Sequence, residues 1–163
     1  MTFDPTHYGP AVAAILGDGS RLADLGPGTP NEAMRPKLTA LNGLPPACMA
    51  GLWLYHDFLD ESHSISQDIH TPTGSFWHAI MHRREPDAWN SKYWFHQLGS
   101  HASLELLRTE CAVIGYKFTN ASAFVDLCER VRGTGTADEK LARMVQALEW
   151  RILFEYSFRS TDE

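Results

Sequence analysis

The sequence predicts an all-α protein, a single-domain bundle of about five or six helices with a Pro/Gly-rich N-terminal arm. From residue 47 onward, apolar residues recur at spacings of three and four, and no alternating apolar run is typical of a strand. Seven of the nine prolines lie within residues 1–46, which permits only short helices there, such as "AVAAIL". We therefore expect an arm at residues 1–46 packed on a helical bundle domain at residues 47–163.

The first two long helices are predicted on either side of a short turn. The run "ACMAGLWLYHDFLDESHSISQDI" reads as one helix from residue 47 to 69. Thr71 and Thr73 around Pro72 supply capping chemistry for a second helix, "GSFWHAIMHRRE", which Pro86 ends. The short connection between these helices predicts an antiparallel hairpin.

Four further helices are expected in the second half of the chain. The last two have an apolar face at helical spacing, and Thr136 with Glu139 forms a capping box for the last one. In order, these helices are "KYWFHQL", "ASLELLRTECAVIG", "SAFVDLCERVRG" and "ADEKLARMVQALEWRILFEYSF".

Charge and cysteine usage exclude several classes of protein. The net charge of −6 and the pI near 5.7 argue against a surface for nucleic acid or for anionic membranes, since both need a basic patch. No stretch approaches the roughly 20 apolar residues of a membrane span. Three widely spaced cysteines without a C-x-x-C motif indicate neither a disulfide framework nor a cysteine zinc site. We expect a cytoplasmic protein.

Polar side chains form a stripe on each helix of the predicted hairpin. At 100° per residue, four of them share one face of the first helix and three share one face of the second. Seven of the eight histidines lie between residues 56 and 101, and no lysine or arginine occurs between Lys37 and Arg83. The stripes consist of His56, Asp60, His63 and Gln67, and of His78, His82 and Glu85.

Facing stripes would form a metal site. If the hairpin turns near residue 70, His63 faces His78, Asp60 faces His82 and His56 faces Glu85. Imidazole and carboxylate are the usual protein ligands of zinc, iron, manganese and nickel, so these six residues are our candidate ligands for a divalent metal ion. Six ligands suit one octahedral ion, two bridged ions, or one ion with Asp60 and Glu85 acting as catalytic acid and base.

Two other interpretations of the stripes stay open at this point. The same residues also suit a metal-free catalytic or binding pocket, or an ordinary solvated helix face. Asp57 lies off the stripe and is predicted to be on the surface. For a small-molecule substrate or ligand, the candidate contacts are Gln67, Trp77, Arg84, Lys92 and His101.

The string "HDFLDESHSISQ…TPTGSFWHAIMHRREPDAWNSKYWF" resembles the signature of a bacterial protein family of uncharacterised function. The resemblance covers about residues 50 to 101, with a weaker match at "EWRILFEY". It implies no activity. It does include both stripes and the "G-x-H" at Gly99 to His101, which adds weight to this region as the site.

The function that these patterns favour is a metal-dependent hydrolase in which a metal-bound water is the nucleophile. One alternative is a non-catalytic small-molecule binding protein whose pocket is lined by histidine and tryptophan, with Arg84 and Lys92 at its mouth. Another is a structural or assembly protein, possible as a homo-oligomer, in which the stripes lie at an interface.

Overall fold

The computed structural model describes residues 2–160. Within this range the protein forms nine α-helices and two short 3-10 turns, and no residue of the range is in a strand. The all-α prediction is confirmed, but the expected number of helices was too low. In chain order, the helices are α1 (Pro10–Leu16), α2 (Arg35–Ala40), α3 (Pro46–Tyr55), α4 (Leu59–Ser66), α5 (Pro72–Arg84), α6 (Ala88–Leu98), α7 (Ala102–Val113), α8 (Ala121–Val131) and α9 (Ala137–Arg159).

The centre of the core lies where α3, α5 and α9 pack together. Trp77 of α5 is fully buried, and its indole N–H donates to the hydroxyl of Ser157 on α9 at 3.0 Å. Trp150 of α9 donates in the same way to the carbonyl of Gly51 on α3 at 2.8 Å. A Cβ on Gly51 would lie 2.7 Å from the Trp77 ring, so only glycine permits this close approach. The structure thus gives Trp77, a candidate substrate contact, a place in the core.

The prediction of a single helix over residues 47–69 was wrong, because α3 ends at Tyr55 and a separate helix, α4, begins at Leu59. Asp57 has φ 67, the left-handed conformation that commonly ends a helix. The N–H of Phe58 donates to the carbonyl of Trp53 at 3.0 Å, and that of Asp57 donates to the carbonyl of Leu54 at 3.1 Å. The rings of Trp53 and Phe58 also pack edge to face, with their centroids 5.1 Å apart. These features form a Schellman motif with aspartate where glycine is usual.

Asp57 is buried, which corrects the prediction that it lies on the surface. Its carboxylate accepts from Arg84 at 2.5 Å and from Arg21 at 2.5 Å. Arg84 also donates to the carbonyls of Gly26, Pro27 and Leu54. One carboxylate therefore joins the end of α3, the end of α5 and the N-terminal arm.

The arm packs through apolar side chains into the same core as the bundle. Its buried aromatic and aliphatic side chains are Tyr8, Val12, Ile15, Leu16, Leu25 and Leu38. Residues 19–27, which we call the strap, have no regular secondary structure and cross α9 and the end of α5. Side chains elsewhere donate to seven of the strap's main-chain carbonyls, those of Gly19, Leu22, Ala23, Asp24, Leu25, Gly26 and Pro27. The donors are Arg84, Arg132, Arg143, Gln146 and Arg151.

The helix pair α4 and α5 forms the hairpin expected from the sequence. Thr71 caps α5 by accepting from the N–H of Gly74 at 3.2 Å, and Pro72 occupies the first helical position. A Cβ on Gly74 would lie 2.1 Å from the carbonyl oxygen of Ile69, so the connection closes tightly over this glycine. The tight turn sets which residues of α4 lie beside α5.

Candidate metal centre

Three histidines meet between α4 and α5. His63 lies on α4, and His78 and His82 lie one turn apart on α5. One ring nitrogen from each residue lies within 4.8 Å of the other two. The ring centroid of His63 is 4.8 Å from that of His78 and 5.3 Å from that of His82. The rings of His78 and His82 are stacked, with their centroids 4.7 Å apart. The predicted register thus brings His63 to His78, but it is His63, not Asp60, that faces His82.

His78 is the most deeply buried member of this histidine cluster, at 4% exposure. Neither of its ring nitrogens has a hydrogen-bond partner, and one face of the ring stacks on Trp94 with centroids 4.2 Å apart. Burying an unpaired nitrogen costs about 1–3 kcal/mol. A metal ion bound to one nitrogen would offset that cost.

His82 is oriented by a carboxylate. Its Nδ1 lies 2.7 Å from Oε2 of Glu85, one turn further along the chain. Because a carboxylate only accepts, Nδ1 carries a proton, and in the neutral ring Nε2 keeps its lone pair. A carboxylate that holds the far nitrogen of a histidine in this way is the usual outer-shell partner of a metal ligand. Glu85 is thus placed to orient a ligand, although the sequence suggested it as a ligand itself.

Asp87 is a nearby carboxylate that the sequence analysis did not single out. It caps α6, accepting from the N–H of Asn90 at 3.1 Å and from the Asn90 side chain at 2.7 Å. These hydrogen bonds lower the pKa of Asp87. Ligand atoms of Asp87, Glu85 and His82 also lie within 4.8 Å of one another. Aspartate directly after Pro86 and before an apolar helical run was the available signal, since aspartate is a preferred N-cap.

The other three stripe residues do not join the cluster. His56 follows α3, where its Nε2 lies 2.8 Å from the carbonyl oxygen of Ile15, and burial lowers its pKa. Projecting one helix through the break at Asp57 wrongly placed His56 on the face of His63. Asp60 is exposed and lines a shallow surface depression whose other residues are Trp53, Glu61, Ser64 and Ile65. Gln67 is exposed at the end of α4.

The remaining candidate substrate contacts are engaged in structural interactions. Arg84 is buried and satisfied by Asp57 and main-chain carbonyls, and it lines a small cavity together with Tyr55 and Trp150. Lys92 pairs with Asp126 on α8 at 2.5 Å. His101 caps α7 by accepting from the N–H of Ser103 at 3.1 Å. Since its Nδ1 accepts, the neutral ring carries its proton on Nε2, next to Thr73 at 3.3 Å.

The buried position of His78 predicts a pH-dependent loss of stability in metal-free protein. Burial, together with the neighbouring His82 and His63, lowers the pKa of His78 from 6.5 to about 4. The folded state therefore favours the neutral ring, and this stability is complete above about pH 6.5 and is lost as the pH falls toward 4. We expect His78 to contribute about 2 kcal/mol to the loss of stability between roughly pH 7 and pH 5, measured from urea unfolding in the presence of EDTA.

A His78→Gln variant provides the control for this measurement. It should show a smaller loss over the same interval, while the buried His56 and His101 keep their own contribution, since burial lowers their pKa too. Equal losses in the variant and the parent protein would show that His78 does not cause the effect.

Comparison with known proteins finds no matching family model, no similar curated protein and no similar solved structure. The geometry of the histidine cluster is therefore the basis for the functional argument.

Proposed function

We propose that the protein binds one divalent transition metal ion through His63, His78 and His82. The observation that carries this proposal is His78, buried with both nitrogens unpartnered and within 4.8 Å of two further imidazole ligands. Three neutral nitrogen donors suit zinc, iron or nickel better than manganese, which prefers oxygen ligands. The protein ligands number three, as in catalytic zinc sites, and not the four of structural sites.

Hydrolysis is the reaction class that this arrangement supports best. Three protein ligands leave a coordination position for water, whose pKa a bound metal lowers toward neutrality. The water's proton would pass to solvent, while Glu85, whose side chain is 39% exposed, holds Nδ1 of His82 on the side of the ring away from the metal. In this proposal His63, His78 and His82 would hold the metal, Glu85 orients His82 through Nδ1, and the substrate is a small molecule.

Elemental analysis of untagged protein, purified without chelator, tests the metal site. We expect about one equivalent of zinc, iron or nickel per chain. The double variant His63→Ala, His78→Ala should lose it, because one remaining histidine cannot hold the ion. A matched control, His96→Ala, changes an exposed histidine outside the cluster and should retain the metal.

Metal-free parent protein that also fails to take up zinc, iron, nickel or manganese would refute this proposal. The remaining interpretations would then be the binding pocket and the structural or assembly protein.

Within residues 2–160, no helix combines the length and the apolar character needed to cross a membrane. The cytoplasmic location and a homo-oligomeric state stay predictions.

A further inference from the structure

The charges around the histidine cluster restrict the substrates that it can take. We infer that the site acts on neutral or positively charged amides or esters and discriminates against phosphates. This inference rests on the proposed metal-dependent hydrolase and names its substrate class.

Two carboxylates lie on the His82 side of the cluster. Oε2 of Glu85 is 2.7 Å from Nδ1 of His82, and Asp87 has an oxygen within 4.8 Å of both residues. Asp87 is held in place by Asn90, so its charge does not move away from the site. With three neutral imidazoles and two carboxylates, a divalent ion would give a net charge of about zero. An approaching anion thus meets no excess positive charge.

The basic residues on the surrounding helices are bound elsewhere. Helices α4, α5 and α6 carry only three lysines or arginines between them. Arg83 is fully buried against Glu149, and Arg84 is bound to Asp57. Lys92 pairs with Asp126 of α8. Arg35 reaches α4 only to pair with Glu61, at 2.6 Å. None of these side chains is available to neutralise a phosphate at the cluster.

The two reaction types need different charge compensation. A transferring phosphoryl group spreads negative charge over three oxygens, and enzymes hold it with arginine, lysine or more than one metal ion. An amide or ester develops one oxyanion, which a single metal ion can stabilise. One ion flanked by two carboxylates therefore matches the second reaction and disfavours the first.

The inferred step is an ordinary hydrolysis with water as the co-reactant. The water oxygen would form a bond to the carbonyl carbon while one of its protons passes to solvent. The bond from that carbon to nitrogen or oxygen would then break, and a proton from solvent would go to the leaving group. The products are a carboxylic acid and an amine or alcohol.

Cobalt-loaded protein tests the substrate class without a known substrate. Visible absorption of Co²⁺ at the site is titrated with imidazole, a small neutral ligand, and separately with inorganic phosphate. We expect imidazole to change the spectrum at concentrations at least about tenfold lower than phosphate, since the carboxylates repel only the anion. The variant Asp87→Asn keeps the cap of α6, because asparagine caps as well as aspartate. It should bind phosphate about three- to tenfold more tightly and imidazole unchanged.

The outcomes separate this inference from the proposal beneath it. The metal site and the inference are both refuted if the parent protein gives no cobalt spectrum. They are also refuted if the His78→Ala variant gives the same spectrum as the parent. If cobalt binds at the cluster but phosphate binds as tightly as imidazole, or if Asp87→Asn leaves phosphate binding unchanged, the metal site stands and the inferred substrate class is overturned.

Discussion

Replacing Arg83 by methionine is expected to lower the free energy of unfolding by about 3–5 kcal/mol. Arg83 is fully buried and donates both terminal nitrogens to Glu149, at 3.0 and 2.5 Å. Its guanidinium also lies 4.7 Å from the ring centre of Phe124. Methionine fills most of the space but leaves the Glu149 carboxylate, 1% exposed, without its cation. Urea unfolding followed by tryptophan fluorescence measures the loss.

The double variant Arg83→Met, Glu149→Leu is the control for this prediction. It removes both charges together, so no unpaired carboxylate stays buried, and most of the lost stability should return. A single variant within about 1 kcal/mol of the parent protein would mean that the buried pair contributes little.

Replacing Asp57 by asparagine is expected to cost about 2–4 kcal/mol. Asparagine tolerates the left-handed conformation at φ 67 about as well as aspartate, so the change isolates the charge. Arg84, 2% exposed, would then have no carboxylate partner, and Arg21 would lose its ion pair as well. Differential scanning calorimetry at neutral pH measures the effect.

An exposed ion pair gives the matched comparison. Asp126→Asn removes the partner of Lys92, whose side chain is 39% exposed, and should change stability by less than about 1 kcal/mol. Similar small changes at Asp57 and Asp126 would show that the buried carboxylate does not hold the arm and the two helix ends together.

Local patterns in the sequence predicted those parts of the fold that local chemistry decides. Thr136 caps α9 by accepting from the N–H of Glu139, as the capping box requires. The carboxylate of Glu139 instead accepts from the N–H groups of Gly133 and Gly135, because the turn before α9 folds back over it. The hairpin of α4 and α5 likewise followed from Thr71, Pro72 and a short connection.

The candidate site was only partly within reach of the sequence. Helical spacing grouped His78 with His82, and the hairpin register added His63. The spacing continues unchanged across Asp57, so nothing local revealed that α3 ends there and that His56 turns away. The partners that bind the carboxylate of the left-handed Asp57 are distant in the chain, Arg84 by 27 residues and Arg21 by 36. Arg83 is similar, since its partner Glu149 is 66 residues away.

The strap, residues 19–27, has a consequence for how this chain tolerates change. Every residue offers the same main-chain carbonyl, so donors that bind carbonyls do not distinguish one strap side chain from another. Gly19 is an exception, since it has φ 70 and a Cβ there would lie 2.8 Å from the Phe3 ring. Apart from Gly19, Arg21 and the buried Leu25, we therefore expect the strap to accept many substitutions without losing its path. The donors Arg143, Gln146 and Arg151 on α9 should accept few. The strap's sequence could thus change over evolutionary time while its conformation stays the same. That conformation would be fixed by side chains of α9, which lie 120 to 132 residues further along the chain.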